Sequence, residues 1–156
     1  MDIPSISAVS AIVAALGVLI GFVFAILEVR NLVKTRQIDL VVRLHSIMGG
    51  KDFLEAWEKF IEREITDYDG YKEEYGFVEL NKIEAFLGGI GVLLRRKLTD
   101  IGLVEDFFSI EVKMVWEKLK PFAEEVRQIR KSPEVYSNIE YLYNEMQKRE
   151  QTLKSI

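Results

Sequence analysis

Cysteine is absent from the 156-residue chain, and histidine occurs once. The first absence removes disulfides and thiolate metal ligands, and it permits a reducing compartment without requiring one. The second removes any multi-histidine zinc site and the paired Glu-x-x-His arrangement of helical di-iron bundles. His45 lacks an obvious nucleophile partner, so it reads as a packed or surface residue rather than a catalytic one. Basic charge is also short: 21 Lys and Arg stand against 25 Asp and Glu, leaving a net charge of −4. Phosphate recognition needs a concentrated basic face, so nucleic acid is not an expected partner. Alternating strand patterns are missing throughout, which leaves an all-α class. No pattern calls for a cofactor or a metal, and no residue is singled out as catalytic.

Charge of either sign is missing from Ile6 to Leu27, between Asp2 on one side and Glu28, Arg30 and Lys34 on the other. A bilayer core of about 30 Å takes roughly 20 helical residues, so the run is long enough to span it. Thirteen of its positions are Ile, Val, Leu or Phe. At roughly −0.3 to −0.6 kcal/mol each, they favour insertion by on the order of 4 to 8 kcal/mol before the Ser and Gly costs. A soluble core helix and a cleavable signal sequence are the alternatives. The first normally keeps a polar stripe, and the second normally carries a positive n-region, where this chain has Asp2.

Arg30, Lys34, Arg36 and Arg43 follow the span, and no Lys or Arg precedes it. The positive-inside tendency then predicts the N-terminus outside and the C-terminal part in the cytoplasm. Arg30, Lys34 and Arg36 are the candidate membrane-surface residues, each worth roughly 1 kcal/mol near anionic headgroups. The expected division is a tail over 1–5, a transmembrane helix over 6–27, an amphipathic stalk over 28–48 and a helical bundle over 51–153.

No Pro or Gly interrupts Glu28 to Met48, and Val33, Leu40, Leu44 and Ile47 make an apolar stripe there. The stripe suits either a short coiled-coil seam or docking on the chain's own helices, and docking is the favoured reading. Gly49-Gly50 ends the stalk. Asp52 is the expected N-cap of a helix to about Ile65, with Phe53, Trp57, Phe60 and Ile61 facing a core. Thr66 to Gly76 reads as a polar loop with room for one helical turn. A central helix is predicted over Phe77 to Leu98, then a short helix capped by Thr99-Asp100 through Phe108. Another follows from Ile110 to Arg130, capped by Ser109 and kinked or divided by Pro121. Ser132-Pro133-Glu134 predicts the start of the last helix, running from Pro133 to about Leu153. Trp57, Trp116, Tyr141 and Tyr143 read as packing residues.

Three patterns invite a functional reading. Ser10, Ala14, Gly17, Gly21 and Ala25 recur every three or four residues and line one side of the span, with Gly17 and Gly21 forming a GxxxG pair. They make the candidate oligomerisation face, although small residues are common in monomeric spans as well. Gly88, Gly89 and Gly91 sit inside a helical pattern, where each costs up to about 1 kcal/mol relative to Ala. Close packing or a ligand cavity would account for them; a phosphate loop would not, because no strand precedes them. Asp67, Asp69, Glu73 and Glu74 fail the EF-hand pattern, since placing Gly70 at the sixth position puts Gly76 where the twelfth-position carboxylate belongs. A solvated acidic loop, or a patch for a basic partner, remains.

The collar from Glu28 to Leu40, Ala56-Trp57, Gly89 to Leu94, Trp116-Glu117-Lys118 and Glu140 to Met146 resemble an uncharacterised family of short archaeal and bacterial membrane-anchored proteins, known only as a domain of unknown function. The resemblance covers nearly the full length. It implies the anchored helical architecture and no activity, site residue or cofactor. The expectation is a membrane-anchored interaction or scaffold protein, homo-oligomeric through its span, with the bilayer and a cytoplasmic protein as partners. A membrane-active effector or small channel is the first alternative, and an enzyme sited in the bundle is the second.

Overall fold

The computed structural model describes residues 3–155, with side chains from residue 8 onward. Six helices follow in order: α1 (Ile3–Met48), α2 (Lys51–Glu62), α3 (Tyr68–Glu74), α4 (Val78–Arg95), α5 (Ile101–Arg130) and α6 (Ser137–Lys154). No strand occurs among the described residues. Met1 and Asp2, in the expected outer tail, lie outside them, and the helix is already formed at Ile3.

The chain divides into two units, 1–39 and 40–156, so the boundary falls within α1 rather than at its end. In the first unit every residue from Ala8 to Arg36 is exposed, large apolar side chains included. Among the described residues α1 is the one helix long and apolar enough to cross a membrane.

The second unit is built on α4, whose Leu80, Ile83, Leu87, Ile90 and Leu94 alternate at spacings of three and four and are all buried. It packs against α2 on one side and α6 on the other, and α6 also packs on α5. Val104, Phe108, Val112, Val115, Leu119, Phe122 and Val126 of α5 and Ile139, Leu142 and Met146 of α6 complete the core. The end of α1 joins it: Val41 is fully buried, and Leu44 and Met48 pack against the same cluster. Docking of the stalk end is therefore real, but its register differs from the expected stripe, since Ile47 is 56 % exposed.

Several boundaries differ from the sequence expectation. Gly50, not Asp52, caps α2, its carbonyl accepting from Phe53 N and Leu54 N at 3.1 and 3.0 Å. That helix stops at Glu62, not Ile65, because Lys118 Nζ donates to the carbonyls of Phe60 and Ile61 at 2.7 Å each, closing its C-terminus from α5. The helix predicted to restart at Ser109 never stopped. Phe108 and Val112 are buried on either side of Ser109, and the stripe continues past Pro121, which is exposed and forfeits only its own backbone bond. Asp100 does cap α5, with Oδ1 2.8 Å from Gly102 N.

The last helix begins at Ser137 rather than Pro133. Tyr136 takes the left-handed conformation at φ 59°, while Arg127 Nε donates to Val135 O at 2.9 Å and its Nη2 pairs with Glu140 at 2.6 Å, holding residues 132–136 in a turn. The acidic stretch contains the short α3. Asp67 caps it through Gly70 N at 2.8 Å, and both oxygens of Glu125 accept from Tyr68 N at 3.1 Å.

A half-buried ion-pair cluster ties α2 to α4: Arg63 and Lys59 reach Glu79 at 2.8 and 3.3 Å. The Arg63 hydrogen bond is the main reason that the Glu79 carboxyl is held down at about 2, from 4.5. The folded-state value lies below the unfolded one, so this contribution is full above pH 4.5 and disappears as pH falls from 4.5 towards 2. Glu79→Gln is expected to cost about 1–3 kcal/mol at neutral pH and to flatten that window of the acid-unfolding curve. Tryptophan fluorescence, to which Trp116, buried beside Tyr143, contributes, follows the transition.

Candidate functional site

Ser10, Ala14, Gly17, Gly21 and Ala25 all lie exposed on α1, and a Cβ added at Gly17 or Gly21 would meet nothing within 4 Å. Their spacing sets them along one side of the helix, open to a neighbour. Arg30, Lys34 and Arg36 are exposed too, and none makes an ion pair among the described residues.

The three helical glycines of α4 have different surroundings. Gly91 is pressed against the start of α6, where a Cβ would stand 2.8 Å from the carbonyl carbon of Asn138 and closer still to its oxygen. Gly88, one turn earlier, also faces Asn138, with 3.9 Å left to its Cβ. Gly89 faces open space. Only Gly91 marks a backbone approach that excludes a side chain. Arg95 fastens the same junction, its guanidinium lying 4.6 Å from the centre of the Tyr141 ring.

Among the described residues, two concavities of the second unit stand out, and neither is lined by these glycines. The larger, about 600 Å³, lies where the end of α1, the start of α2 and the middle of α4 meet. Ile47, Phe53, Ala85 and Phe86 give it an apolar floor, with the Phe53 and Phe86 rings 4.7 Å apart, and Lys51, Asp52 and Lys82 stand around it. The sequence offered little warning of this groove. Phe53 and Phe86 look like core residues by periodicity, and nothing in the pattern marks Gly50 and Ala85 as lining an opening.

The smaller concavity, about 220 Å³, gathers Asn81 and Glu84 of α4, Arg130 at the end of α5, and Glu134 and Tyr136 of the following turn. Burial pushes the Tyr136 phenol up to about 12, so it stays protonated and acts as a donor, not as a base or nucleophile. Neither Glu84, Glu134 nor Arg130 makes an ion pair among the described residues. No sequence signal pointed to Tyr136, which periodicity places inside a helix rather than in a left-handed turn.

No group of three metal-capable side chains occurs among the described residues. His45 lies against Phe107, ring centroids 5.4 Å apart, as a packing contact. No curated protein and no solved structure is significantly similar to the chain. A family described as a domain of unknown function, DUF4760, matches residues 5–146, running from the apolar helix to the last core position of α6. The chain belongs to the DUF4760 family.

Proposed function

We propose that the protein is a membrane-anchored, non-enzymatic interaction module that assembles through α1. In this reading its N-terminus lies outside the cell membrane and its helical unit lies in the cytoplasm, where it meets a protein partner. The observation that carries the reading is the complete exposure of an uncharged helical surface from Ala8 to Leu27, which water would not tolerate on a free chain. The basic collar of Arg30, Lys34 and Arg36 supports the orientation. The open small-residue face supports assembly, because close helix packing in lipid relies on such residues.

The mass of the full chain in detergent tests assembly. The wild type is expected to be larger than a monomer and the Gly17→Leu, Gly21→Leu variant to be monomeric; a monomeric wild type sinks the assembly. Since the chain has no cysteine, single Ser5→Cys and Ser155→Cys variants report orientation through a membrane-impermeant maleimide. Only the first should be labelled in intact cells, and the reverse pattern would invert the topology.

A second reading, a small-molecule or catalytic site, is favoured by the polar concavity around Tyr136, where two carboxylates and an arginine stand without ion-pair partners. The protonated phenol would serve there as a hydrogen-bond donor.

A further inference from the structure

We propose that the groove between the end of α1, the start of α2 and α4 binds a long-chain fatty acid, with its carboxylate at Lys51 and Lys82 and its hydrocarbon tail over Phe53, Ala85, Phe86 and Ile47. The volume of about 600 Å³ falls within the range of small-ligand sites, and the floor is apolar. Phe53 is buried beneath the groove and Phe86 is half-buried beside it, so the floor is an apolar surface at the edge of the core.

The rim selects the sign of the occupant. Lys82 has no ion-pair partner among the described residues, and Lys51 has only an exposed contact with Glu55 at 3.6 Å. The first turn of α2 opens on the same rim. Its N-cap, Gly50, brings no side chain to satisfy the free backbone N–H groups, which favour an anion there. Asp52 also lines the groove and Glu55 offsets Lys51, so the unpaired Lys82 and the helix N-terminus carry the rim's preference for an anion. An anionic head on a single apolar chain matches both parts of the groove, whereas a neutral hydrocarbon would use only the floor and a small anion only the rim. This inference does not depend on the membrane reading, since every lining residue belongs to the second unit.

Trp57 provides the readout, its ring stacked 6.3 Å from that of Phe53. A Trp116→Phe variant of the full chain, purified in maltoside micelles, leaves Trp57 as the sole tryptophan. Titration with 9,10-dibromostearate should quench it saturably, while the uncharged methyl ester, which partitions into the same micelles, should quench it far less. Lys51→Glu with Lys82→Glu should weaken the acid's binding about tenfold or more, equivalent to about 1.4 kcal/mol. Ala85→Phe, which fills the floor, should abolish saturable quenching. Unaltered near-ultraviolet circular dichroism would show that both variants remain folded. Equal quenching by acid and ester, or saturable quenching unchanged by the substitutions, would overturn the proposal. Absence of quenching would do so as well.

Discussion

Gly91→Ala will destabilise the helical unit, while Gly89→Ala, two residues away on the same helix, will stabilise it. Intrinsic propensity favours Ala over Gly at both positions by about 1 kcal/mol. At Gly89 nothing stands within 4 Å of the added carbon, so most of that gain should appear as about 0.5–1 kcal/mol of extra stability. At Gly91 the same carbon collides with the peptide group of Asn138, and backbone near the start of a helix has no rotamer to escape into. Separation of α4 from α6 is the only relief. Because this helix pair forms the centre of the unit, overpacking should exceed the propensity gain and leave a net loss of about 1–3 kcal/mol. Gly91→Leu should prevent the unit from folding. Urea unfolding of the full chain in detergent, read by tryptophan fluorescence, measures all three. If Gly91→Ala and Gly89→Ala shift the midpoint in the same direction, the close approach to Asn138 is wrong.

That contrast also shows how far the sequence can be read. Three glycines in a helical pattern say that close packing or a cavity is at hand, because a helix carries them at a cost. They do not say which of the three is pressed, since that depends on the rotation of α4 against a helix distant in sequence. The helices themselves were legible wherever the apolar spacing was regular, as in α4, and in the caps that use their own side chains, as at Asp100. Misread boundaries came from partners beyond the local stretch: Lys118 ends α2 from α5, and Arg127 with Glu140 holds the turn that delays α6. Ser132-Pro133-Glu134 is a sound local start signal overruled by that turn. Both concavities were illegible for a related reason, because each is assembled from three segments.

The end of α1 gives the other large effect. Val41→Asp should cost about 3–5 kcal/mol by burying a carboxylate without a counterion in the core. Ile47→Asp, six residues later on the same helix, should change stability by less than about 0.5 kcal/mol, as expected of an exposed position. The two separate the rival registers. A stripe through Val33, Leu40, Leu44 and Ile47 would put Ile47 in the seam and leave Val41 outside it. The structure instead buries Val41 fully and packs Leu44 and Met48 beside it, at spacings of three and four. Val41→Ala, which only removes methyl groups, should fall between at about 1–3 kcal/mol. Chemical unfolding of the three variants, followed by tryptophan fluorescence, ranks them. If α1 ends as part of the bundle, Val41→Asp must be the most destabilised, Val41→Ala intermediate and Ile47→Asp the least. A Val41→Asp as mild as Ile47→Asp would instead return the stalk to a free helix, whose stripe is available to a second copy of the chain.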